Sequence, residues 1–184
     1  MPVDIVLIGP VRAGKSTQGR LLAARLDLPQ ISLDDLRWAY YCEIGFDPAH
    51  AAELRRQEGF VAYIYYRQLF AAHAVERLLA EHAGCVIDFG ADIFESRDML
   101  ARVQAALSAY PNVVLLLPSP DPAESRRILA ERDPSPPKDI HFDLLAYYLN
   151  HPTYAALAKI TVYTTGKTPE ETCEEILDRV NLKS

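Results

Sequence analysis

The residues Gly9-Pro10-Val11-Arg12-Ala13-Gly14-Lys15-Ser16 fit the pattern G-x-x-x-x-G-K-[S/T]. A loop of this kind, set between a strand and a helix, turns successive backbone N–H groups into a concavity that holds phosphate oxygens. The positive end of the following helix adds to the field there. Gly9 and Gly14 let the backbone turn tightly and come close to a phosphate. The Lys15 ammonium can reach the β- and γ-phosphates of a nucleoside triphosphate, the Ser16 hydroxyl can ligate Mg2+, and Thr17 sits near the α-phosphate. The chemistry implied is that of ATP held with Mg2+, with Gly9, Arg12, Ala13, Gly14, Lys15, Ser16 and Thr17 as its cradle.

Asp88 closes the apolar run Cys85–Phe89 (CVIDF), at the sheet edge where ligands gather. A carboxylate there can hold Mg2+ through water, or it can cap the next turn. The aromatic residues Trp38, Tyr40, Tyr41, Phe60, Tyr63, Tyr65 and Tyr66 can stack on a ligand face, although the spacing of Phe60, Tyr63 and Tyr66 is that of a core stripe. Arg55, Arg56 and Arg67 can bind an anionic acceptor or stand as surface charges. The five histidines show no metal-ligand spacing and read as surface or helix-face residues.

The elements that must position these residues alternate. Val3–Ile8, Cys85–Phe89 and Val113–Leu117 are near-continuous apolar runs, as expected of strands buried on both faces of a parallel sheet. Gln30–Leu33 and Lys159–Thr164 are weaker strand candidates. Helical patterns cover Lys15–Leu26, Asp47–His82 with room for a break, Glu95–Tyr110, and a last segment bearing Cys173, Ile176, Leu177 and Val180. Asp47-Pro48, Asp121-Pro122 and Thr168-Pro169 place a capping side chain before a proline, with Glu124 and Glu171 at capping-box positions. The pattern predicts a doubly wound, three-layer α/β fold: a five-stranded parallel sheet with helices on both faces. One domain spans residues 1–184, with an acceptor-binding helical region at 34–83 and a lid or plain connector at 132–140, where Pro134, Pro136 and Pro137 stop a helix.

Length and composition narrow the options. A chain of 184 residues, 49% apolar and 24% charged, suits one globular domain. A net charge of −6 argues against a broad nucleic-acid footprint and against a polynucleotide substrate. The opening Met1-Pro2-Val3-Asp4 has no basic n-region, and the apolar run after it is too short for a signal peptide or membrane span. Three scattered cysteines form no metal cluster and are expected to be buried or half-buried. A cytoplasmic protein, monomeric or homodimeric, is expected.

The stretch Gly9–Trp38 resembles the opening of adenylate kinases and related nucleoside monophosphate kinases, through the loop, Thr17-Gln18, Leu22-Ala23, Pro29, Ile31-Ser32 and Asp35. It is also similar to shikimate kinases, whose loop is likewise followed by an acidic residue after the second strand. His151-Pro152-Thr153-Tyr154 and Thr165 to Glu171 resemble the shikimate-kinase C-terminal end. The resemblance implies that Asp34 faces an acceptor hydroxyl and takes its proton, with Asp34 and Asp35 as helix caps in the alternative. It implies that Arg126 lies against adenine, Arg132 over the transferring phosphoryl group, and Thr165 to Pro169, including Lys167 and Pro169, along the base. Several positions depart from both patterns. Arg12 replaces a usual glycine, Ser32 and Leu33 replace acidic residues, Phe89-Gly90-Ala91 replaces a glycine triplet, and Asn150 replaces an arginine. The arginine that follows an Asp-Gly-Phe-Pro motif in adenylate kinases has no match. These departures set the expectation of γ-phosphate transfer to a nucleoside, sugar or hydroxy acid that is neither shikimate nor AMP. The alternative from another class is a nucleotide-holding regulator without efficient transfer.

Overall fold

The computed structural model describes residues 4–132 and 140–180. The proposed lid segment falls almost wholly outside the described residues. Five strands, β1 (Ile5–Ile8), β2 (Gln30–Ser32), β3 (Val86–Asp88), β4 (Val113–Leu117) and β5 (Ile160–Tyr163), form one sheet in the order β2-β3-β1-β4-β5. Every pairing is parallel. Helices α1 (Lys15–Leu26), α2 (Leu33–Glu43), α3 (Pro48–Gln57), α4 (Phe60–Glu81), α5 (Arg97–Ala106), α6 (Pro122–Arg132), α7 (Leu144–Asn150), α8 (Pro152–Leu157) and α9 (Pro169–Arg179) cover it.

Strand side chains alternate between two cores. Ile5 and Leu7, with Val114, Leu116 and Val162, pack against Leu22 of α1 and Cys173 and Ile176 of α9. Val6 and Ile8, with Ile87, Val113 and Leu115, pack against α2, α4 and α5 through Leu33, Val75, Leu78 and Val103. Burial on both faces explains why β1, β3 and β4 read as near-continuous apolar runs. The expected helix over 47–82 breaks at Glu58-Gly59, where Gly59 takes φ +91°. The aromatic stripe is core on its inner side: Phe60 is buried, and Tyr63 and Tyr66 are half-buried against the same cluster.

All three predicted caps accept a first-turn N–H, and one of the two expected capping boxes forms. Asp47 accepts from the N–H groups of Ala49 and His50. Thr168 accepts from Glu171 N at 3.1 Å while Glu171 accepts from Thr168 N at 2.7 Å, a complete capping box. Asp121 accepts from Ala123 N at 2.9 Å, but Glu124 takes the Ser119 hydroxyl instead of closing a box, and Asp121 N donates to Ser119 Oγ. Cys85 and Cys173 are buried, but Cys42 is exposed, contrary to expectation. His151 also departs from a plain surface role, capping α8 by accepting from Thr153 N at 3.2 Å. Thr168→Ala is expected to lower stability by about 1 kcal/mol and the melting midpoint by about 2–4 °C. An unchanged melt would mean that the cap adds nothing net.

Candidate active site

The parallel register brings the carboxyl ends of β1, β2 and β3 to one edge. Asp88 pairs with Leu7 on one side and with Ser32 on the other. The loop after β1, the Ser32–Asp35 segment and Asp88 therefore converge, which is where doubly wound sheets bind ligands.

The loop is tightly specified. A Cβ on Gly9 would come within 2.5 Å of Leu116 O, so only glycine lets β1 leave the sheet beside β4. Gly14, at φ +100°, opens α1. Arg12 adopts φ +65°, a left-handed conformation that costs a residue with a Cβ roughly 1–2 kcal/mol. The conformation thus persists although a bulky residue replaces the glycine. Arg132, at the end of α6, donates from Nη1 to Arg12 O at 2.9 Å and ties down this turn. Lys15 is buried, and its Nζ donates to Gly9 O at 3.0 Å and Pro10 O at 2.9 Å. Burial lowers the pKa of this ammonium from its ordinary value, against the pull of the Asp88, Asp34 and Asp92 carboxylates.

Two clefts flank the first turn of α1. One, of about 350 Å³, is lined by Arg12, Ala13, Gly14 and Thr17 from the loop side and by Arg132, Lys167 and Pro169 opposite. Lys167 is engaged there with Glu175 and with Tyr163 O. Arg126 does not join this cleft. It is exposed and paired with Asp143, because it lies six residues, roughly 240° of helix rotation, from Arg132. The second cleft, of about 390 Å³, is lined by polar groups, among them Ser16, Arg20, Asp34, Asp35 and Asp88. Ser16 Oγ donates to Asp88 Oδ2 at 2.7 Å, and Asp88 Oδ1 accepts from Gly90 N at 2.9 Å. Asp88 thus serves both the turn and the hydroxyl of the loop. Among the described residues no group of three or more His, Cys, Asp or Glu side chains could hold a metal ion by itself. A hydroxyl beside a carboxylate at a phosphate cradle is instead an oxygen donor pair suited to Mg2+ that keeps waters and phosphate ligands.

The sequence reading missed Arg37 and Asp92. Arg37 pairs with Asp34 one helical turn earlier and reaches Asp92 Oδ1 at 3.3 Å; Arg67 from α4 reaches the same oxygen at 2.6 Å. A Cβ on Gly90 would lie 2.7 Å from Asp34 Oδ1 and 2.8 Å from Arg37 Nη2, so this glycine is what lets α2 settle over the end of β3. The i, i+3 spacing of Asp34 and Arg37 on a new helix was the available signal.

A parallel sheet with a nucleotide cradle, a hydroxyl–carboxylate pair and a second polar cleft defines an ATP-dependent P-loop kinase of small molecules. The shikimate kinase family model matches residues 12–181, and the chain belongs to that family. A shikimate kinase of Streptomyces coelicolor is 33% identical over 184 residues, covering 97% of this chain and 96% of its own. An adenylate kinase of Gemmatimonas aurantiaca is 62% identical, but over 32 residues, 17% of this chain and 15% of its own. The solved structure of shikimate kinase from Acinetobacter baumannii in complex with shikimate superposes with a TM-score of 0.64 at 21% identity, covering 97% of this chain and 92% of that one, and shares the fold. The adenylate kinase resemblance is thus local, and the shikimate kinase resemblance runs the length of the chain. The expectation of an acceptor other than shikimate or AMP is overturned by these full-length relatives, and the regulator alternative falls with it. The departures that suggested it are confined to short motifs, whereas the family match spans residues 12–181. No helix among the described residues is long and apolar enough to cross a membrane.

Proposed function

We propose that the chain transfers the γ-phosphate of ATP to a hydroxyl of shikimate. The observation that carries this reading is that the two clefts flank the first turn of α1, with Gly14 and Thr17 lining one, Ser16 lining the other, and the Asp34 carboxylate in the second. The choice of shikimate rests on the relatives of nearly full length.

Each residue has a role in this scheme. Asp34, whose side chain is 61% exposed in its cleft, accepts the proton of the acceptor hydroxyl. The freed oxygen bonds to the γ-phosphorus as the bond from that phosphorus to the β–γ bridging oxygen breaks, and ADP leaves with the electron pair. Lys15 and Arg132 present positive charge to the phosphate oxygens, where negative charge is spread during transfer. Backbone N–H groups from Arg12 to Ser16 cradle the phosphates. Ser16 and Asp88 would hold Mg2+, which supplies charge neutralisation to the phosphates. Free thiols at Cys42, Cys85 and Cys173 suit a reducing cytoplasm.

The test is ADP release from Mg2+-ATP with and without shikimate, with the product identified by mass. Shikimate is expected to raise ADP release by about two orders of magnitude or more, because a productive acceptor replaces slow hydrolysis. A rise with a different hydroxylated acceptor and none with shikimate would overturn the reading.

A further inference from the structure

Asp92 lies in the segment after β3, which is pinned just beyond it: Phe94 N donates to Thr153 Oγ1 at 3.0 Å and Ser96 N to Gln68 Oε1 at 2.8 Å. Its side chain is 6% exposed, and those of Arg37 and Arg67 are 9% and 14% exposed. Both guanidinium groups converge on Oδ1, while Oδ2 is buried with no partner among the described residues. Arg37 Nε and the Tyr41 and Tyr154 hydroxyls are likewise buried and unpartnered. Tyr63 stacks under Arg67 at 5.4 Å. Two cations from two helices are therefore aimed at one buried oxygen, one of them, Arg37, being paired with Asp34 as well, and the anion that meets them uses half of its hydrogen-bonding capacity.

That arrangement is poor as a permanent structural pair. A buried ion cluster offsets its desolvation only when its donors and acceptors are satisfied. It is well suited to exchange. Two desolvated arginines need an anion at all times, and bidentate guanidinium contacts are the strongest protein recognition of a carboxylate. With Asp34 and Asp92 both present the four charges cancel; without Asp92 the cluster would carry one net positive charge, the complement of one acceptor carboxylate.

We propose that Asp92 is an internal stand-in for the carboxylate of the acceptor, holding Arg37 and Arg67 until the acceptor displaces it and thereby setting acceptor affinity. The proposal rests on the reading of a carboxylate-bearing acceptor such as shikimate. Asp92 is a specificity-determining residue here and touches no reacting atom.

The experiment measures KM and kcat for shikimate and for its neutral methyl ester in the wild type, Asp92→Asn, Arg37→Gln and the Arg37→Gln/Asp92→Asn double variant. Asparagine keeps the shape of the side chain and removes the competing charge. Asp92→Asn is expected to lower the KM for shikimate about tenfold, with kcat within about twofold and the ester unaffected. Arg37→Gln is expected to raise it about tenfold or more. Should Asp92→Asn fail to fold, the comparison of the double variant with Arg37→Gln decides, because there the charges balance and Arg67 is released; KM is again expected to fall. A KM that stays level or rises on removal of Asp92, or an equal gain for the ester, overturns the proposal. If the wild type does not phosphorylate shikimate, the functional reading fails, and calorimetric titration with benzoate as a bare carboxylate probe decides the proposal. Tighter binding to Asp92→Asn supports it, and equal or absent binding overturns it.

Discussion

Lys15→Met lowers kcat/KM for ATP by about a thousandfold or more while the protein still folds. Methionine matches the length of the lysine stem and fills the same buried space. It removes the ammonium that donates to Gly9 O and Pro10 O and that faces Asp88, Asp34 and Asp92. The relief of burying a charge offsets the loss of attraction to those carboxylates, so stability moves by about 2 kcal/mol or less. Catalysis has no such offset, because the phosphates lose their one buried ammonium donor in the loop. The pH dependence carries the same signature. Burial leaves the folded pKa of Lys15 below 10.5, its value in an unfolded chain. Between the two values the unfolded chain binds more protons, so wild-type stability rises with pH through that alkaline window. Over the same window kcat/KM falls as the ammonium is lost. The methionine variant is expected to lack both trends. A folded Lys15→Met protein with unchanged turnover would remove the loop from the mechanism.

How legible these features were depended on how local their causes are. The cradle is a short run of consecutive residues whose spacing is its function, so Gly9 through Thr17 could be read directly. The strands β1, β3 and β4 carry apolar side chains on both faces and announce themselves without partners. Arg12 marks the limit of such reading. Its side chain suggested an altered loop, yet the backbone keeps the left-handed turn at φ +65°, with Arg132 bonded to its carbonyl from 120 residues away. The resemblance set Arg126 against adenine and Arg132 over the phosphoryl group; rotation about the helix axis turns Arg126 away from the cleft, and Asp143 takes it. The acceptor side was misjudged because its contacts are not local in sequence. Asn150 and Phe89-Gly90-Ala91 do depart from the family pattern, but Arg37 and Arg67 meet Asp92 across 55 and 25 residues of chain. No periodicity encodes a contact of that kind, which exists only once α2 and α4 have packed over β3.

Asp34→Asn is the substitution that separates chemistry from nucleotide binding. The expected result is a loss of about 10²- to 10⁴-fold in kcat for acceptor-dependent transfer, with ATP affinity within about twofold. The amide oxygen can still accept from Arg37 Nη2, so the contact that seats α2 over Gly90 survives. The amide cannot take a proton from a hydroxyl, and that capacity is what the carboxylate contributes. Asp35→Asn is the control, since Asp35 lines the same cleft and stands next to Asp34 in the first turn of α2. A helix-terminal role shared by both carboxylates would make the two variants lose stability and activity together, by the few tenths to 1 kcal/mol typical of a first-turn acid. A proton-accepting role confines the loss to Asp34 and to kcat. Should ATP affinity fall while transfer holds, Asp34 serves the nucleotide side, and the second cleft must present the acceptor hydroxyl to another group.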